Sequence, residues 1–93
     1  MDYYLGQPIE VLETEQGWLS IWHHRLVGQI EIGFFLTGDD ALELTRDLIR
    51  RDFAAISLMK VVDEWYEMDL VTDYEHDLIQ NSLVQSVLAV LNQ

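Results

Sequence analysis

Gly28-Gln29-Ile30-Glu31-Ile32-Gly33-Phe34-Phe35-Leu36-Thr37-Gly38-Asp39-Asp40-Ala41-Leu42-Glu43-Leu44 is the stretch on which the fold turns. Up to Thr37 its residues alternate. Ile30, Ile32, Phe34 and Leu36 share one face, and Gln29, Glu31, Gly33, Phe35 and Thr37 share the other, the two-residue period of a β-strand. From Gly38 the period changes. Asp39 is a suitable N-cap, and Asp40 and Glu43 place negative charge on a first helical turn, where the helix dipole favours it. Leu44, Leu48 and Ile49 then recur at helical spacing, with Arg46, Arg50 and Arg51 toward the far end. A strand that passes so directly into a helix points to an α+β domain.

Upstream of this junction the chain reads as further strands. Residues Ile9 to Thr14 alternate, and Glu15-Gln16-Gly17 is a hairpin turn before Trp18, with Gly17 supplying a positive φ. Arg25-Leu26-Val27-Gly28 has Gly28 as its sole turn residue and fits either a tight hairpin or a bend in one long strand. A three-stranded antiparallel meander accounts best for this part.

Downstream, residues 53–68 fit two templates. As a strand, Ile56, Leu58, Val62, Tyr66 and Met68 alternate, but Lys60 and Glu64 interrupt the face. As a helix, Ile56, Met59, Val62 and Tyr66 form an apolar stripe opposite Ser57, Lys60, Glu64 and Glu67. The helix explains more positions. Thr72-Asp73-Tyr74-Glu75 matches the S/T-x-x-E capping box and opens a last helix. From Leu78 onward that helix carries no charge, and Leu83, Val87, Leu88, Val90 and Leu91 make a broad apolar arc suited to burial or association. The expected order is β-β-β-α-α-α: a small three-stranded meander followed by two or three helices, forming one acidic domain over residues 1–93.

Composition narrows the function classes. The 93 residues include 17 Asp or Glu against 5 Lys or Arg, a formal charge of −12. Such a chain repels phosphate backbones and anionic membrane surfaces, so direct contact with nucleic acid or membrane is not expected. There is no Cys, hence no disulfide, thiolate nucleophile or Cys-ligated zinc. The 49% hydrophobic content and ten aromatic residues exceed what acidic disordered chains carry, so a folded core is expected. Met1-Asp2-Tyr3-Tyr4 does not resemble a secretory signal, and no run of eighteen apolar residues occurs; a cytoplasmic location is the expectation.

The charge is unevenly spread. Residues 1–38 hold five acids and one base, a net −4; residues 39–60 hold five acids and four bases, a net −1; residues 61–93 hold seven acids and no base, a net −7. Those seven are Asp63, Glu64, Glu67, Asp69, Asp73, Glu75 and Asp77, interleaved with Trp65, Tyr66 and Tyr74. The plain account is a solvated face that keeps the chain in solution. The sharper one is a docking surface for a basic protein, in which Asp63, Glu64, Trp65, Glu67, Asp69, Asp73, Glu75 and Asp77 make the contacts. A second aromatic patch, Trp18 and Trp22 with Glu31 and Phe35 of the next strand, is either covered by a helix or open for binding.

No catalytic motif is present. His23 and His24 are adjacent and point to opposite sides of a strand. His76 has Asp73 three residues before it and Gln80 four after, a pattern too common to mark a metal site. Neither metal nor cofactor is expected, and no enzyme. In size and acidity the chain is like immunity proteins of nuclease toxins and phage-encoded inhibitors of defence nucleases, a likeness of composition and not of motif. The functional expectation is an inhibitor that blocks the basic nucleic-acid-binding cleft of a partner such as a nuclease. The alternative is a dimeric adaptor or secretion-type chaperone that self-associates through its uncharged C-terminal helix.

Overall fold

The computed structural model describes residues 1–91 and has the element order β1 (Asp2–Tyr4), β2 (Gln7–Thr14), β3 (Gly17–His24), β4 (Gly28–Phe35), α1 (Gly38–Glu67) and α2 (Asp73–Leu91). The α+β class is as expected, but the sheet has four antiparallel strands in the order β1-β2-β3-β4 and two helices follow it. Backbone proximity divides the chain into two compact units, Met1–Arg50 and Arg51–Gln93, with the boundary inside α1.

In the first unit the strand missed by sequence reading is β1. It pairs with β2 through Tyr4 and Gln7, leaving Leu5-Gly6 as a two-residue turn with φ of 49° and 77°. Positive φ at both central positions is the hairpin geometry usually marked by Asn-Gly, and a leucine there hides the signal. The second turn is as read: Thr14 pairs with Gly17, and the Thr14 hydroxyl donates to the Gly17 carbonyl at 2.7 Å. Arg25-Leu26-Val27 is a hairpin loop, since His24 pairs with Gly28.

The inner face of the sheet carries Ile9 and Trp22, which oppose each other in register, and Ile32; each is buried. Buried polar groups on this face are partnered. Trp22 Nε1 donates to Gln7 Oε1 at 2.7 Å, which satisfies the indole that burial removes from water. The His24 Nδ1 accepts the Leu26 amide at 3.0 Å and so helps close the β3–β4 loop.

A bulge corrects the expected face assignment on β4. Ser20 pairs with Ile32 and Trp18 with Phe35, so three steps on β4 match two on β3. Gly33 lies in the extra residue's neighbourhood at φ 124°, where a Cβ would fall 2.6 Å from the Phe35 ring. The alternation therefore breaks. Phe35 joins Ile30 and Ile32 on the inner side, whereas Glu31, opposite Ile21, lies on the outer side. Glu31 and Phe35 do not share a face, and Phe34 and Leu36 are exposed.

Helix α1 begins two residues earlier than an N-cap at Asp39 would place it. The Thr37 hydroxyl accepts the Asp40 amide at 3.1 Å and its carbonyl the Ala41 amide at 3.3 Å, so Thr37, not Asp39, is the N-cap. Its buried stripe in this unit is Ala41, Thr45, Leu48 and Ile49, while Leu44 remains 37% exposed. The small residues at 41 and 45 let the helix approach the sheet: Thr45 Oγ1 lies 2.6 Å from Ser20 Oγ and 2.8 Å from the Ala41 carbonyl. One hydroxyl proton serves one acceptor, so with Thr45 donating to Ala41 the Ser20 hydroxyl supplies the bond between the two side chains.

The expected separate helices at 39–51 and 53–68 are one helix, α1. Between Asp39 and Glu67 the chain has no Gly or Pro, and nothing at Arg51-Asp52-Phe53 removes a backbone donor or requires a positive φ. The helical template chosen for 53–68 is correct. Its end is a left-handed cap: Asp69 has φ 60°, the Asp69 amide donates to the Tyr66 carbonyl at 3.1 Å and the Leu70 amide to the Trp65 carbonyl at 2.9 Å. These are the two bonds of the Schellman motif. The capping box of α2 forms as read, with Glu75 N donating to Thr72 Oγ1 and Thr72 N to Glu75 Oε1, both at 3.1 Å.

Candidate functional site

The second unit gathers the seven expected carboxylates at one corner. Asp63, Glu64 and Glu67 lie on the last turns of α1, Asp69 in the turn, and Asp73, Glu75 and Asp77 on the first turns of α2; all are exposed. Trp65, Tyr66, Met68, Leu70 and Tyr74 are exposed among them, so apolar surface is interleaved with the charge. A hollow of about 510 Å³ in this corner is lined in part by Tyr66, Asp69, Asp73 and Glu75.

The corner is held by side chains at matching distances from the middle of the turn. Gln80 Nε2 donates to the Met59 carbonyl at 3.0 Å and to Asp63 Oδ1 at 2.8 Å. His76 Nε2 lies 2.8 Å from the same Asp63 oxygen, and the Tyr66 hydroxyl donates to Asp73 Oδ1 at 2.5 Å. Residues 59, 63 and 66 on α1 thus meet 80, 76 and 73 on α2. They step at the three- and four-residue intervals that keep one face of each helix toward the other. Tyr66 also lies against the His76 ring, with centroids 4.5 Å apart. On the far side of the imidazole, Nδ1 is 3.5 Å from Asp77 Oδ1.

These contacts shift the protonation equilibria. The hydrogen bond from His76 holds the Asp63 carboxyl below its usual range, and Asp63, then Asp77, hold the imidazole above the ordinary 6.5. The bond to Asp73 pushes the Tyr66 phenol upward, since ionising it would set two anions together.

The carboxylates therefore fall into two groups. Asp63, Asp73, Glu75 and Asp77 have partners within the corner: His76 and Gln80, Tyr66, the Thr72 amide, and His76. Glu64, Glu67 and Asp69 face water with no side-chain partner among the described residues. Sequence reading named all the acids but missed His76, Gln80 and Tyr66 as the groups that organise them. The D-x-x-H spacing drew attention to Asp73 with His76. In the fold Asp73 goes to Tyr66, and the His76 partners are Asp63 and Asp77. Among the described residues no group of three or more His, Cys, Asp or Glu is placed to hold a metal ion.

The second aromatic patch is differently placed. Trp22 is fully buried, and Trp18 lies beside the start of α1, where a Cβ on Gly38 would sit 3.1 Å from its ring. Trp18 and Phe35 oppose each other and line a hollow of about 410 Å³ beside the β2–β3 turn. Glu31 is on the other face. The four residues do not form one surface. His23 and His24 do point apart: His24 is buried, whereas His23 is on the outer face with Nε2 3.4 Å from Glu10 Oε1.

Among the described residues no helix is long and apolar enough to cross a membrane. Comparison of the chain with protein-family models, curated proteins and solved structures returned no match.

Proposed function

We propose that the chain is a non-enzymatic protein-binding domain whose acidic corner docks on a basic surface of a partner, as an inhibitor of immunity or anti-defence type would. The partner is a basic protein such as a nuclease, and the carboxylates occupy the places that phosphates take in its nucleic-acid-binding cleft. The observation that carries this reading is the grouping of seven exposed carboxylates on two helix ends and their turn, with no Lys or Arg anywhere in residues 61–93 and aromatic side chains exposed between them. A surface meant only to be solvated gains from interspersed charge of both signs, which lowers self-repulsion. This corner forgoes that compensation. A partner rich in Arg and Lys would supply it, would associate rapidly through electrostatic steering, and would find Trp65 and Tyr74 as apolar and cation–π contacts.

The test is affinity capture of a partner on the wild-type chain, followed by its binding measured against salt concentration. Glu64→Lys with Glu67→Lys is the discriminating variant, because neither residue supports the corner. Binding that weakens steeply with salt, is lost in the double variant and is competed by a polyanion is the expected result. A captured partner that binds the variant equally well, or whose affinity ignores salt, overturns the proposal.

A second reading, a dimeric adaptor or secretion-type chaperone, rests on α2. That helix has no charge after Asp77 and leaves Leu78, Val84 and Leu88 between 37% and 57% exposed. Sedimentation at tens of micromolar separates the two: a strict monomer removes the basis of the dimeric reading. Val90 and Leu91, part of the expected apolar arc, lie outside the residues whose side chains are described.

A further inference from the structure

We propose that His76 is a proton-operated latch: as an imidazolium it clasps Asp63 of α1 and Asp77 of α2 at once, and loss of its proton releases one of them and loosens the first turns of α2.

The argument starts from donor counting. Neutral imidazole has one N–H and one lone pair, whereas imidazolium has two N–H groups. Both ring nitrogens of His76 face carboxylate oxygens, Nε2 toward Asp63 Oδ1 at 2.8 Å and Nδ1 toward Asp77 Oδ1 at 3.5 Å. Only the cation can satisfy both. In either neutral tautomer, one nitrogen turns a lone pair toward an anion, and that contact changes from attraction to repulsion. The two sides are unequal. Asp63 Oδ1 also receives Gln80 Nε2 at 2.8 Å, which holds it in place whatever the state of the histidine. Asp77 has only the imidazole contact among its described side-chain interactions. Deprotonation therefore leaves the Nε2–H tautomer on Asp63 and frees Asp77.

The placement of His76 makes the carboxylates necessary. It is four residues past the N-cap Thr72, where the helix dipole opposes positive charge. The titratable groups facing the ring are Asp63 and Tyr66 from α1 and Asp77 from α2, while Asp73 and Asp69 act on Tyr66 beside it. Asp63 and Asp77 both favour the cation, and no Lys or Arg in residues 61–93 opposes it. The Tyr66 ring, held by its bond to Asp73, covers one side of the imidazole and limits its rotation. The midpoint of the latch accordingly lies above the ordinary histidine value, in the range where modest changes in pH operate it.

The latch belongs to the free chain and is read without any partner, so its failure and that of the docking proposal are separate outcomes. The test uses the full-length, isotope-labelled chain. Imidazole nitrogen shifts across pH 5–9 report the midpoint and tautomer of His76, and amide exchange reports the order of α2. The expected result is a midpoint above 6.5, an Nε2–H tautomer on the alkaline side, and loss of amide protection at the start of α2 as His76 deprotonates. Asp63→Asn lowers the midpoint most and Asp77→Asn less, and His76→Gln makes α2 protection insensitive to this titration. Far-ultraviolet circular dichroism checks that each variant keeps its helices; should Asp63→Asn lose them, the Asp77→Asn shift carries the test. A wild-type midpoint at or below 6.5, a midpoint unmoved by both substitutions, or unchanged protection across the titration overturns the proposal.

Discussion

Leu5 and Asp69 are non-glycine residues with positive φ, 49° and 60°, and each sits where the chain reverses. Asp tolerates this region because its short side chain can bond locally; Leu has no such compensation. Leu5→Asn should therefore raise the stability of the β1–β2 hairpin by about 1 kcal/mol, read as a higher denaturant midpoint with an unchanged slope. Gln7 illustrates the opposite kind of residue, one whose polarity is required inside. Gln7→Leu keeps most of the volume but leaves the buried Trp22 indole N–H without an acceptor, at an expected cost of roughly 1–3 kcal/mol in urea unfolding. Reading the sequence missed both roles. A Leu-Gly turn lacks the usual turn chemistry, and a polar residue beside Pro8 gives no sign that it folds inward to meet an indole fifteen residues away.

Elements were legible where their signals are local. The capping box at Thr72 and Glu75 needs only four consecutive residues, and it is present as read. Thr72→Ala should lower stability by about 1 kcal/mol, with the loss appearing first as weaker amide protection at the start of α2. The pairing of α1 with α2 also sets a pH window. The Asp63 carboxyl is held below 3.8, so its contribution is present above that value and lost as pH falls through the lowered pKa. The His76 imidazole is held above 6.5, so its contribution is present below 6.5 and lost as pH rises through the raised pKa. The part of stability that disappears in His76→Gln should therefore be greatest between these limits. A thermal-melting series in which the wild-type and variant curves remain parallel from pH 4 to 9 would contradict it. The face of β4 and the length of α1 were not legible. One extra residue at a bulge inverts every later side chain, and a helix without a breaker can pass through a cluster such as Arg50-Arg51-Asp52 that looks like an end.

For the whole molecule, the formal charge of −12 resolves into a nearly neutral middle and a strongly acidic last third. Seven like charges within fifteen residues repel one another, and salt shortens the reach of that repulsion from about 30 Å at 0.01 M to about 8 Å at 0.15 M. Added sodium chloride should therefore raise the thermal midpoint over this range. Glu64→Gln with Glu67→Gln should reduce that gain, as differential scanning at fixed pH would show. The same repulsion is what a basic partner would relieve, which ties the stability of the corner to its proposed use.

What the sequence determined by itself was the class of fold, the capping box of α2 and the location of the charge. Those follow from composition and from patterns spanning a few residues, which the backbone obeys wherever it is placed. The tertiary structure decided which acids are organised and which are free. Asp63 and His76 are thirteen residues apart, and Asp63 and Gln80 seventeen. They meet only because the left-handed turn at Asp69 folds α2 back along α1. No local pattern encodes such a meeting: each contact depends on the pitch of two helices and the angle of one turn together. It is that combination which makes a run of like charges into a corner with a histidine at its centre.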